Sequence, residues 1–256
     1  MKNLVAYVLI AFAILVGGGS IVLLLHFPGI GPAFTSLSSA ERLSLDAFLC
    51  LLFFVQHSGM IRRKFKRWAS SFIPAYFYPS VYAIASGVAL ALLVVFWQRT
   101  DETLFTLTGP VRWLPTGLSL LAAAGFFWGA WSLGKGGFDP LGLSPLRAHL
   151  HGKTNQPEGL AIQGPYRLVR HPLYFFVLIA FWSVPALTTD MLLSNVLFTA
   201  WIVVATRWEE RDLVAQFGAA YRRYQEDVPM LLPFSFRRMK QGQWGRIAND
   251  TVANLK

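Results

Sequence analysis

Charge is scarce in this chain: 14% of its residues are Asp, Glu, Lys or Arg, against 54% hydrophobic and a mean hydropathy of +0.45. A soluble domain carries nearly twice that charge, so the shortage points to an integral membrane protein. Cysteine is scarcer still. Cys50 stands alone in an apolar run, which excludes an intrachain disulfide framework or a thiolate zinc cluster and makes it a buried free thiol. Acidic residues number 13 against 23 basic, for a net charge of +10. In a soluble protein that excess would suggest nucleic acid. Here the basic residues sit in short segments between hydrophobic runs, so the positive-inside rule accounts for them and no nucleic-acid partner is expected. Also missing are a βαβ pattern, a phosphate-binding P-loop, an internal repeat and any linker long enough to separate domains.

What is present is a set of six hydrophobic runs, at about 4–25, 43–56, 78–97, 113–133, 172–187 and 191–206. Each is compared with the roughly 20 residues that a spanning helix needs. The second and the last two are short, and the last two, separated by Thr188-Thr189-Asp190, read as a tight helical hairpin with Asp190 at its outer turn. The first run is too long for a signal peptide and lacks a cleavage site after it. With six crossings, every basic residue except Arg42, Arg99 and Arg112 falls on one side. That partition predicts both termini in the cytoplasm, with a bacterial inner membrane as the location. The expected fold class is therefore all-α: a polytopic membrane protein of about six transmembrane helices plus a C-terminal amphipathic helix, with no Rossmann domain.

One domain over 1–256 is the simplest organisation: helices over 1–133, a chemistry-bearing half over 134–234 and a basic tail over 235–256. The glycine-rich stretch 134–143 reads as a flexible exit from the fourth run, with Asp139 as a turn residue. The polar, irregular stretch 147–159 reads as a lid over a pocket. Beyond the last run, Leu213, Phe217, Tyr221, Tyr224 and Val228 recur at spacings of four and three, the stripe of an amphipathic helix.

The densest chemistry lies in Gly164-Pro-Tyr-Arg-Leu-Val-Arg-His-Pro-Leu-Tyr174. Pro172 suits the first helical position and pushes His171 toward an extended conformation. Arg167, Arg170 and His171 then lie beside free N–H groups at the positive end of the helix dipole, a place for a carboxylate. Lipid anchoring explains each of these cations taken singly; Tyr166, Pro172 and Tyr174 beside them make the pattern richer than anchoring requires. Forty residues on, Glu209 and Glu210 offer the opposite charge. They either pair locally with Arg207 or Arg211, or face inward and hold a cation such as an ammonium or sulfonium. A small zwitterion held between the two clusters is the reading that these residues favour. His57, at the end of the second run, is the best general-base candidate outside that half; Asp46 lies roughly 16 Å along the same helix, too far to orient it.

These residues carry a resemblance. The motif from Gly164 to Tyr174, the hairpin, then Glu209-Glu210-Arg-Asp-Leu…Phe217-Gly…Tyr221-Arg-Arg-Tyr224…Val228-Pro…Pro233 resembles the isoprenylcysteine carboxyl methyltransferase and phospholipid methyltransferase superfamily of membrane enzymes. A narrower likeness, through Gln56-His-Ser, Phe65-Lys-Arg-Trp68, Phe138-Asp-Pro-Leu-Gly-Leu143, Phe181-Trp…Pro185 and Val228-Pro-Met-Leu-Leu-Pro233, is to bacterial methanethiol S-methyltransferases and their nurim-like relatives. The chain departs from them in carrying Phe77-Tyr-Pro-Ser-Val-Tyr82 where Glu-Arg-Ser-Thr-Tyr is expected, and from the prenylcysteine enzymes in carrying Ala205 at the position of a substrate-binding arginine.

The resemblance implies S-adenosyl-L-methionine as cofactor and, as product of methanethiol methylation, dimethyl sulfide. It carries cofactor contacts over to Leu160, Ala161, Tyr166, Arg170, His171, Pro172, Leu173, Tyr174 and Glu210, with the backbone around 158–161. Read from the residues themselves, His57, Tyr174 and Glu209 are the candidates for the chemical step, and no metal is expected. The alternatives are methylation of a prenylcysteine carboxylate or a phospholipid amine, and a non-catalytic nurim-like scaffold. The expected partners are a small thiol or lipophilic acceptor and the bilayer, with no obligate protein partner.

Overall fold

The computed structural model describes residues 2–24, 27, 31–133, 138–153, 159–160 and 162–233. The glycine-rich exit at 134–137, part of the expected lid at 154–158 and the basic tail lie outside the described residues. In chain order the elements are α1 (Lys2–Phe12), a π-helical stretch Ala13–Gly18, α2 (Gly19–Leu24), α3 (Ser39–Ile61), α4 (Arg63–Ala69), α5 (Tyr78–Phe96), β1 (Thr103–Thr106), α6 (Trp113–Ser132), α7 (Leu143–Leu150), α8 (Pro172–Trp182), β2 (Ala186–Thr188), α9 (Thr189–Phe217) and α10 (Ala219–Asp227). Short 3₁₀ turns at Gly109–Arg112 and Gly164–Arg167 precede α6 and α8. The two strands form a small sheet, the one departure from an all-helical chain among the described residues.

Five helices, Asn3–Leu24, Ser39–Ile61, Tyr78–Phe96, Gly109–Ser132 and Thr189–Phe217, are long and apolar enough to cross a membrane. The protein is a multi-pass membrane protein. The fifth expected run shortens to Pro172–Trp182, about 16 Å of helix, because the chain leaves helical geometry at Ser183, at φ −96° and ψ 66°. The last expected run, by contrast, continues without a break to Phe217, so α9 is longer than hydropathy alone implies. The amphipathic stripe is not one helix: Gly218 adopts a positive φ of 57°, and the chain restarts as α10.

The chain forms two compact units. The first comprises Met1–Phe105, Asp139–Gln156 and Leu187–Phe198. Its α3 begins earlier than the hydrophobic run does, because a capping box extends it: the Ser38 amide donates to Glu41 Oε2 at 2.8 Å while Glu41 N–H donates to Ser38 Oγ at 3.4 Å. At Gly87 of α5 a Cβ would lie 2.9 Å from Gly17 Cα, so the absent side chain permits a close helix crossing. The expected lid is partly regular: Leu143–Leu150 is α7, capped by Asp139, which accepts from the Leu143 and Ser144 amides at 2.9 and 2.7 Å. Its His149 stacks on Tyr76 within the same unit. Asp190 is no exposed turn residue. It is buried, accepting from Trp97 Nε1 at 3.1 Å and Thr100 Oγ1 at 2.8 Å, while buried Asp46 accepts from the Gln98 amide at 2.8 Å. Two buried carboxylates thus fasten the segment that follows α5.

The second unit comprises Thr106–Phe138, Pro157–Ala186 and Thr199–Lys256. Here α6 packs along α8 with glycines at the crossing: a Cβ at Gly125 would meet the Phe176 ring at 2.3 Å, and one at Gly129 would meet Leu173 at 2.8 Å. A buried cluster of Tyr221, Tyr224 and Val228, flanked by Leu160, Ile162, Leu213 and Phe217, holds α10 in place. The stripe read from the sequence is therefore a core face.

Candidate active site

Pro172 opens α8, and His171 sits just before it at φ −122° and ψ 65°, outside the helix as its proline neighbour dictates. The chain after α10 returns to this point. Backbone N–H groups of Arg170 and His171 donate to the carbonyls of Pro229 and Met230 at 2.9 and 3.1 Å, so the Val-Pro-Met segment lines the doorstep of α8.

Arg170 and Glu210, assigned from the sequence to opposite ends of a bound zwitterion, are bonded to each other. Arg170 Nε donates to Oε1 at 2.5 Å and Nη2 to Oε2 at 2.7 Å, a forked pair. Nη1 donates to the carbonyls of Gln225, at 3.0 Å, and Val228. Glu210 also accepts from His171 Nε2 at 3.1 Å, Tyr221 OH at 3.0 Å and Gln225 Nε2 at 2.8 Å. A carboxylate offers about four lone-pair sites, so these donors saturate it. Both side chains are largely buried, at 8% and 10% exposure.

Glu209 is placed differently. Its side chain is 44% exposed, its Oε2 lies 3.7 Å from His171 Nδ1, and it lines a cavity of about 600 Å³. The same cavity is lined by Leu160, Tyr166, Arg170, His171, Leu173 and Tyr174. Apart from these, its walls are mostly aliphatic and aromatic, with Phe126, Val177, Leu213 and Phe217 among them. His171 and Tyr174 stack with ring centroids 5.9 Å apart. Because a carboxylate only accepts, His171 Nε2 carries the hydrogen toward Glu210, leaving Nδ1 on the Glu209 side.

Burial, reinforced by the Glu209 charge, pushes the Tyr166 phenol up to about 12. The Tyr221 and Tyr224 phenols are raised as well, chiefly by burial. All three stay protonated at neutral pH, and Tyr224 OH donates to the Tyr166 carbonyl.

The structure thus brings together eight of the residues singled out from sequence: Leu160, Tyr166, Arg170, His171, Pro172, Leu173, Tyr174 and the Glu209–Glu210 pair's cavity-facing member, with Glu210 directly behind. Pro172 itself is buried beneath the doorstep, and Ala161 lies outside the described residues. Arg167 is exposed, its Nε 3.5 Å from the Ile162 carbonyl. His57 belongs to the first unit, and the cavity is lined without it. There the Tyr82 hydroxyl lies 3.0 Å from its ring nitrogens, Ser86 Oγ lies 3.2 Å from Nδ1, and Phe53 stacks on the ring.

Sequence reasoning missed three partners. Tyr221 was read as part of the stripe and Gln225 was not singled out, although both sit within reach of Glu210 once Gly218 turns the chain. Tyr82 closes the very segment in which the expected Glu-Arg pair is absent. Its spacing of four from Ser86 on α5 was the available signal.

The NnrU protein family matches residues 47–234. The chain belongs to the NnrU family. Relatives of this NnrU protein include a methanethiol S-methyltransferase of a Pseudomonas species, 40% identical over 195 residues covering 74% of this chain and 72% of the relative. Methanethiol S-methyltransferase 2 of Bradyrhizobium diazoefficiens is 37% identical over 207 residues, covering 78% and 76%. Nurim of Rattus norvegicus is 30% identical over 190 residues, covering 69% and 70%. No solved structure matches this NnrU protein.

Proposed function

We propose that this protein is a membrane methyltransferase that moves a methyl group from S-adenosyl-L-methionine to the sulfur of a small thiol such as methanethiol, giving dimethyl sulfide. The observation that carries the reading is the cavity of the second unit, where Glu209, the one carboxylate among its described lining residues, stands beside an imidazole on walls that are mostly aliphatic and aromatic. Relatives at 37–40% identity that bear the name methanethiol S-methyltransferase imply a methyl donor and a thiol acceptor.

The residues present fit such a donor. A volume near 600 Å³ is in the range of sites for drug-sized ligands. Glu209 suits the ammonium of an amino acid, the Phe126 and Phe217 rings suit a purine, and the Gly159–Leu160 backbone offers hydrogen-bonding groups to its edges. With its oxygens taken, Glu210 acts by holding Arg170 and His171 in place. When bound, the donor supplies an electrophilic methyl on a sulfonium whose departure needs no acid. The chain's own contribution is then placement and dryness: apolar walls exclude water, and fixed geometry converts binding into orientation.

A small thiol is mostly protonated at neutral pH, given cysteine's unperturbed pKa of about 8.5, so its proton must leave as the sulfur reacts. Tyr166, Tyr221 and Tyr224 hold their own protons too tightly to take it. Of the residues read from the sequence for this step, Tyr174 and Glu209 line the cavity and His57, in the first unit, does not, so the cavity's own groups are the ones in reach of the proton. We place the protein in a bacterial inner membrane with both termini cytoplasmic, the orientation that the partition of basic residues supports.

The test is incubation of purified protein with methyl-labelled S-adenosyl-L-methionine and separate acceptors: methanethiol, a prenylcysteine and phospholipid vesicles. Label in volatile dimethyl sulfide is expected. Label in the prenylcysteine or lipid fraction, or none anywhere despite donor binding, would overturn the reading.

A further inference from the structure

Glu210, which is not among the described residues lining the cavity of the second unit, lines a second, more open recess of about 380 Å³ together with Arg207, Arg211, Val214 and Gln225. Arg207 and Arg211 are exposed, and neither makes an ion pair or hydrogen bond with any described residue. Sequence logic offered Glu209 and Glu210 as their partners, but Arg170 occupies Glu210 and Glu209 turns to the cavity. Two guanidinium groups one helical turn apart, about 6 Å along the axis, are thereby left facing one recess. The Glu210 carboxylate that also lines it does not repel an anion strongly, because its charge is already matched by the forked pair.

The recess also has a defined place along α9. That helix is 29 residues long, about 44 Å, against roughly 30 Å of bilayer hydrocarbon. Its apolar part ends at Thr206, and Arg207 is the first charged residue after it. Trp208 packs edge-on against Trp201 at 5.8 Å and stays partly exposed, the placement of aromatic residues at a membrane interface. Snorkelling alone would leave the two arginines to bulk headgroups; the recess between them gives one phosphate a seat, with Val214 toward its apolar side.

We propose that Arg207 and Arg211 form a binding site for the phosphate of an anionic phospholipid, separate from the cavity assigned to the methyl donor. Arginine suits this because its planar fork meets phosphate oxygens in pairs. The lipid is favoured over free phosphate because the seat lies where the span leaves the hydrocarbon, so the acyl chains keep their own solvent.

Native mass spectrometry of the full-length protein released from detergent, titrated with phosphatidylglycerol, phosphatidylcholine and inorganic phosphate, reads this directly. Wild type should retain one phosphatidylglycerol at least about tenfold more strongly than phosphatidylcholine, the scale set by two basic residues at an anionic surface. Arg207→Gln/Arg211→Gln should lose that preference while melting at the wild-type temperature. If the double variant does not fold, each single variant should show a several-fold part of the same loss. Equal retention of the two lipids by wild type, an unchanged preference in the folded variants, or phosphate binding that displaces phosphatidylglycerol at matched concentration would overturn the proposal.

Discussion

Arg170 and Glu210, forty residues apart, face each other through two parallel hydrogen bonds of 2.5 and 2.7 Å in a largely buried setting. The pair joins the doorstep of α8 to α9, and through the Gln225 and Val228 carbonyls it fixes the end of α10 as well. Removing one partner strands the other charge. Arg170→Met should therefore destabilise the protein by about 3–5 kcal/mol. The double variant Arg170→Met/Glu210→Gln should lose less than the sum of the two single changes. Thermal unfolding in detergent, followed by tryptophan fluorescence, checks both.

His57→Ala should leave donor affinity near wild type, because the cavity assigned to the donor is lined without it. Tyr82→Phe, which removes the hydroxyl 3.0 Å from that ring, should leave it near wild type as well. Equilibrium donor binding checks both. A loss of about 1.4 kcal/mol or more, tenfold in affinity, in either folded variant would contradict the placement of the donor.

Tyr166 should contribute no ionisation to the pH–rate profile. Its phenol, pushed up to about 12, keeps its proton through the whole neutral and mildly alkaline range and releases it only as pH approaches that value. The profiles of wild type and Tyr166→Phe should share the same limbs between pH 6 and 10, to within about a few tenths of a pH unit.

Gly142→Ala should destabilise the first unit by about 1–3 kcal/mol. Gly142 has φ +64°, and a Cβ there would lie 2.3 Å from the Pro79 backbone, so neither the conformation nor the space admits a side chain. Urea or thermal unfolding measures it, with Gly152→Ala, which has a similar φ but open surroundings, as the comparison for backbone strain alone.

The sequence made much of this legible where the signal was local. Pro172 marks the start of α8 because a missing N–H and a fixed φ act on immediate neighbours, and the hydrophobic runs mark the long spans because the bilayer imposes a length. What it concealed depended on chain reversal. Gly218 breaks the stripe from Leu213 to Val228, and that one turn carries Tyr221 and Gln225 onto Glu210, a meeting that helical spacing alone does not suggest. The two adjacent glutamates looked equivalent in sequence. Consecutive helix positions point about 100° apart, so one of them meets the buried arginine and the other the cavity. Asp190 was misread for a similar reason: its partners Trp97 and Thr100 come from a segment ninety residues earlier.

Glu209, the one carboxylate among the described residues that line the cavity, is the point on which the account turns, and equilibrium binding of S-adenosyl-L-methionine to purified wild type and Glu209→Gln tests it most directly. The expected result is saturable binding at one site by wild type, weakened by about 1–3 kcal/mol in a variant that melts normally. Absence of binding by wild type, or equal affinity in the folded variant, would contradict the assignment of this cavity to the methyl donor.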